Sequence, residues 1–172
     1  MIKLIEDKVV LEDGFNYKDY IIKPESINKD IDDFVTGRIP QGFSCGISEL
    51  DNHFLCKKNE FYLLTGKKGD GKTTIHQCLE IMYSMVNDLI WVVAFQENSE
   101  WSMKVNYMGY LLGRFPKDVY NEDRELYNKA SAWIDKHFYF IEVEDIKMAT
   151  EVTKGIIKSG VDVHGLVLDP VN

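Results

Sequence analysis

Gly66-Lys67-Lys68-Gly69-Asp70-Gly71-Lys72-Thr73 sets two glycines, a lysine and a hydroxyl residue in the spacing G-x-x-x-x-G-K-[ST]. At ordinary residue frequencies the four fixed positions arise by chance in roughly one chain in a hundred of this length. The chemistry this spacing serves is phosphate binding. Successive backbone N–H groups of a glycine-rich loop converge on one concave spot, and a helix starting there adds its partial positive charge. Lys72 supplies a cation for the β and γ phosphates, and the Thr73 hydroxyl is a hard oxygen donor for magnesium. The loop from Gly66 to Thr73, with Thr74 in the first helical turn, is therefore the predicted nucleotide-binding set, with Lys67 and Lys68 adding local positive charge.

Two further carboxylates have the chemistry such a loop needs. Gly165-Leu166-Val167-Leu168-Asp169 is an apolar run ending in an acid, the form of a strand that delivers a second metal ligand beside Thr73. Glu97 follows another apolar run, Leu89 to Phe95, and hydrolysis needs a carboxylate to orient or deprotonate water opposite the leaving phosphate. Glu97 and Lys72 are the predicted catalytic residues, Thr73 and Asp169 the predicted metal ligands, and ATP with Mg2+ the predicted cofactors.

These residues need elements to hold them. Phe61-Tyr62-Leu63-Leu64-Thr65 reads as a strand buried on both faces, ended by Gly66. From Thr73, the positions Ile75, Cys78, Leu79, Met82, Tyr83 and Val86 recur every three or four residues and predict the inward face of a helix. Leu89–Phe95, Phe138–Ile141 and Gly165–Asp169 read as further strands, and 101–112, 122–136 and 149–158 as helices, with a short helix at Ser48–Asp51. Met103, Tyr107, Met108, Leu111 and Leu112 read as core rather than as a base-stacking surface. Alternation of this kind predicts an α/β fold, a mainly parallel sheet with helices on both faces. Residues 1–41 read as an arm and linker, with Val9-Val10-Leu11, a turn at Glu12-Asp13-Gly14 and Tyr20-Ile21-Ile22 as a small hairpin, and 42–172 as the nucleotide-binding domain.

Composition narrows the class. With 172 residues and 45% hydrophobic content the chain can bury a core, and a net charge of −8 argues against a broad basic face for nucleic-acid backbone. No apolar run approaches a membrane span, and Met1 to Asp7 lacks a signal-peptide core, so the chain reads as cytoplasmic. Cys45, Cys56 and Cys78 form no C-x-x-C pair and read as reduced thiols. His53 with Cys56, and His76 with Cys78, read as packing rather than as zinc ligands. No N-K-x-D segment reads guanine, since Asn28-Lys29-Asp30-Ile31 and Asn128-Lys129-Ala130-Ser131 both fail.

From Gly42 onward, the order of Gly46-Ile47-Ser48-Glu49-Leu50-Asp51, the phosphate loop, Phe95-Gln96-Glu97-Asn98, Trp133-Ile134-Asp135-Lys136-His137-Phe138 and His164 to Asn172 resembles the RecA-like ATPase core of DnaB and Twinkle-type replicative helicases. The likeness is strongest to the Twinkle-like primase-helicases of phages and bacteria. The resemblance implies a RecA-like P-loop fold, with Glu97 as catalytic base and Asp169 serving the metal. It implies a hexameric ring that couples ATP hydrolysis to movement on single-stranded DNA and duplex unwinding. A primase is a further implied partner, and the cell is bacterial or phage-infected. Such helicases continue past the Asp169-type strand with DNA-binding loops and an arginine finger. Arg38, Arg114 and Arg124 do not fall where that finger lies, so this chain alone, lacking the C-terminal part of the core, is expected to bind nucleotide and hydrolyse it feebly. Two other readings share these motifs: a recombination or clock-type RecA relative, and a non-catalytic nucleotide-binding assembly module.

Overall fold

Three parallel strands form the centre of the computed structural model, which describes residues 3–5, 8–10, 22–37, 42–96 and 99–169. The chain divides into two units, Met1–Gln41 and Gly42–Asn172. In the second, β3 (Trp91–Phe95) lies between β4 (Phe138–Glu142) and β5 (Gly165–Asp169). All five residues of β3 are buried, as a central parallel strand with no solvent face requires.

Alternation along the strands separates two faces. Trp91, Val93 and Phe95 pack with Phe138, Phe140 and Val167 against α3 (Lys72–Asn87), α4 (Glu100–Leu112) and α6 (Arg124–His137), through Ile81, Tyr83, Met103, Tyr107, Met108, Ala130 and Ile134. Ala94, Ile141, Leu166 and Leu168 form the smaller opposite layer with Ala149 of α7 (Ile146–Lys158). The fold is thus α/β, a small parallel sheet with helices on both sides.

Local chemistry sets the helix ends. The Asp123 and Asp145 carboxylates accept the Leu126 and Met148 amides at 2.9 and 2.6 Å, capping α6 and α7. Pro116 opens α5 (Pro116–Glu122), a helix the sequence did not predict, and Gly113 ends α4 at φ 62°. A short helix, α2 (Ser48–Asp51), anchors the chain entering the domain: Asp51 accepts from the Ser44 hydroxyl at 2.5 Å and the Cys45 amide at 2.8 Å.

In the first unit, β1 (Lys3–Ile5) pairs antiparallel with β2 (Lys8–Val10), and a 3-10 turn at Pro24–Ile27 leads into α1 (Asn28–Val35). The paired strands take in Val9 and Val10 of the predicted hairpin, and Leu11 lies outside the described residues. Glu12-Asp13-Gly14, Tyr20 and Ile21 lie outside the described residues.

Two expectations are corrected. Among the described residues Phe61–Thr65 pairs with no strand, and Phe61 and Leu63 are 82% and 75% exposed. The segment is tethered instead through Tyr62, whose hydroxyl accepts the Lys57 amide at 2.8 Å and whose ring meets Phe54 edge-on at 5.2 Å. An apolar run specifies affinity for a sheet, but a strand also needs a neighbour whose N–H and C=O groups face it. In α3 the buried face is Gln77, Glu80, Ile81, Tyr83 and Ser84, while Ile75 and Val86 of the predicted inward stripe are exposed. Polar groups at Glu80 and Ser84 find buried partners, so the helix turns them inward.

Candidate functional site

The loop between Gly66 and α3 is curled by its own side chains. Gly69 and Gly71 take φ of 90° and 78°, a left-handed backbone that side-chain-bearing residues adopt only with strain. The Asp70 carboxylate accepts the Lys67 amide at 2.7 Å, closing the turn. Lys72 reaches back and donates its Nζ to the carbonyls of Gly66 at 2.9 Å and Lys67 at 2.6 Å. Helix α3 begins at Lys72, so the first amides of the helix, at Lys72, Thr73 and Thr74, have no intrahelical acceptor. Lys67, Lys68 and Thr74 are exposed at the rim, with the Tyr110 hydroxyl 3.5 Å from that of Thr74.

Sheet alternation brings Asp169 to this loop. Gly165, Val167 and Asp169 share the face of β5 turned toward α3, and Asp169 sits in register with Phe95 at the end of β3. The Thr73 hydroxyl lies 3.4 Å from Asp169 Oδ1. Two residues 96 apart in the chain thus meet where a parallel sheet ends, the edge at which open α/β sheets collect ligands. A hydroxyl and a carboxylate are hard oxygen donors of the type magnesium takes, and an ion that keeps most of its water needs only one or two such protein ligands, so Thr73 and Asp169 could hold one. Among the described residues no group of three or more His, Cys, Asp or Glu side chains is placed to hold a metal.

Behind Asp169 runs a polar chain that the sequence did not predict. His76 Nε2 lies 3.0 Å from Asp169 Oδ2, within ion-pair distance though not aligned as a hydrogen bond. Its Nδ1 meets Glu80 Oε1 at 2.6 Å, and the buried Tyr107 hydroxyl donates to Glu80 Oε2. Burial opposes a charge on His76, but the Asp169 and Glu80 carboxylates outweigh it and raise its pKa to about 9. The His76 contact holds the Asp169 carboxyl below its usual range, with Thr73 and Lys72 contributing in the same sense. Burial pushes the Glu80 carboxyl up, and burial with the neighbouring Glu80 charge pushes the Tyr107 phenol well up. By sequence His76 reads as packing beside Cys78 and Glu80 does not stand out; the visible signal is their i, i+4 spacing on the helix after the loop.

Lys72, Thr73 and Asp169 are therefore brought together, while Glu97 lies outside the described residues. Arg38 is outside them too; Arg114 pairs with Glu122 at 2.5 Å and the Arg124 guanidinium stacks 3.5 Å over Tyr120. The three cysteines are free thiols, each with its pKa raised by burial. Met103, Tyr107 and Met108 are core, and no helix among the described residues is long and apolar enough to cross a membrane. Compared with known proteins, the chain matches no family model and no curated protein.

Proposed function

We propose that residues 42–172 are the ATP- and magnesium-binding core of a RecA-like P-loop ATPase. The observation that carries this reading is the meeting of a left-handed glycine loop at a helix start with Thr73 and Asp169 at the end of a parallel strand. In this reading the loop amides and Lys72 would hold the phosphates, and Thr73 and Asp169 would hold magnesium, which would supply positive charge against the phosphates. Lys72 exchanges its bonds to the Gly66 and Lys67 carbonyls for phosphate oxygens. Glu97 is assigned as the base from its place after β3. The helicase segments support a further step, a hexameric ring that spends hydrolysis on translocating along single-stranded DNA in a bacterial or phage-infected cell.

The test is ATP binding by wild type and Lys72→Ala, measured calorimetrically. One charge-assisted hydrogen bond contributes about 1.5–3 kcal/mol, so the variant is expected to bind about 10 to 150 times more weakly. Equal affinity would remove the phosphate-loop assignment. In a form that carries the DNA-binding loops and arginine finger as well, hydrolysis unaffected by single-stranded DNA would leave the nucleotide core standing and remove translocation.

A further inference from the structure

Helix α3 presents Thr73, His76 and Glu80 on one face, at spacings of three and four residues. The first two divide the Asp169 carboxylate between them: Oδ1 lies 3.4 Å from the Thr73 hydroxyl and Oδ2 lies 3.0 Å from His76 Nε2. We infer that His76 is a positioning residue for Asp169, occupying Oδ2 and leaving Oδ1 as the oxygen presented beside Thr73. This rests on the reading above, in which Thr73 and Asp169 are the magnesium ligands.

The rest of the chain explains why the imidazole can do this. Its Nδ1 is held by Glu80 at 2.6 Å, and Glu80, 4% exposed, is held in turn by Tyr107, which α4 buries completely. The Tyr107 ring is fixed by Phe138 and Phe140, with centroids at 4.7 and 5.1 Å. A buried polar chain is costly beside the apolar packing it displaces. Here it ends on Asp169, the carboxylate beside the Thr73 hydroxyl. Groups that orient a ligating carboxylate typically carry 10–100-fold in metal affinity, although they never touch the metal.

The experiment is magnesium titration of the full chain with ATP present, read by calorimetry, alongside ATP binding in EDTA and thermal melting. In His76→Ala the magnesium concentration at half-effect is expected to rise about tenfold or more, the lower end for such partners, with ATP affinity in EDTA within about twofold of wild type. His76→Gln, whose amide nitrogen reaches the Nε2 position, is expected to restore most of the loss. Tyr107→Phe keeps the packed ring and removes the hydroxyl, and is expected to shift the half-point the same way by about threefold, a fraction of the direct effect. A role confined to folding would lower ATP binding in EDTA and with magnesium alike, and that result overturns the assignment. So does an unchanged half-point in His76→Ala, or in Tyr107→Phe should the alanine variant not fold. Absence of ATP binding by wild type would instead overturn the phosphate-loop reading and this assignment with it.

Discussion

Gly165→Ala tests whether β5 is placed as described, because the space for a single methyl group decides it. A Cβ at Gly165 would lie 2.3 and 2.4 Å from Trp91 Cζ3 and Cε3 and 3.3 Å from Cη2. Carbon atoms rest at about 3.5–4.0 Å, so the indole or the strand must move by more than about 1 Å. Trp91 has little freedom to yield: it is 9% exposed, its Nε1 donates to Ser84 Oγ at 3.0 Å, and its register partner on β5 is Gly165 itself. Overpacking costs about 1–3 kcal/mol, and breaking the Ser84 hydrogen bond adds about 1, for about 2–4 kcal/mol in all. At roughly 2–4 °C per kcal/mol for a chain of this size, the melting midpoint should fall by roughly 5–15 °C. Urea unfolding followed by circular dichroism measures the same loss without using the displaced tryptophan as its own reporter. In a Trp91→Leu background the alanine should cost much less, since the colliding ring edge is gone, and the two substitutions should couple in a double-mutant cycle. A loss below about 0.5 kcal/mol in the wild-type background, the ordinary size of a surface change, would refute the pairing of Gly165 with Trp91.

Two more outcomes follow from other parts of the fold. Asp88 ends α3 at φ 56° and accepts from Lys136 at 2.6 Å, with His137 Nε2 at 2.8 Å; these contacts lower its carboxyl pKa from 3.8 to about 2. A depressed acid contributes stability above its unfolded value and loses it as pH falls toward the folded one, so Asp88→Asn, which tolerates the left-handed backbone, should be less stable than wild type at neutral pH and converge on it near pH 2. Acid unfolding curves that stay parallel down to that pH would remove the contact. Leu63→Ser should change stability by less than about 0.5 kcal/mol, as expected at an exposed position, whereas a strand buried on both faces would lose about 2–5 kcal/mol. Urea denaturation separates the two, and the larger loss would reinstate the buried strand.

The contrast between β5 and the segment at Phe61–Thr65 shows what kind of structure a sequence carries on its surface. Both are five-residue, largely apolar runs, and both read as parallel strands. Trp91–Phe95 gives β5 a partner along its whole length, while Phe61–Thr65 has no strand beside it among the described residues. Periodicity and side-chain type are local, so they found the loop, α3, α4 and the three paired strands. Pairing is not local, and no residue within 61–65 records whether a neighbour exists. The same distinction governs the site. Glycine positions and the lysine of the loop are dictated by the loop's own backbone, which is why Gly69, Gly71 and Lys72 could be read directly. His76, Glu80 and Tyr107 acquire their roles only when β5 and α4 close over α3, joining residues 27 and 93 positions apart. The trace left in the sequence is the i, i+4 spacing of His76 and Glu80, because a carboxylate turned into a core must have a partner there, and here that partner, His76, is the residue that reaches Asp169.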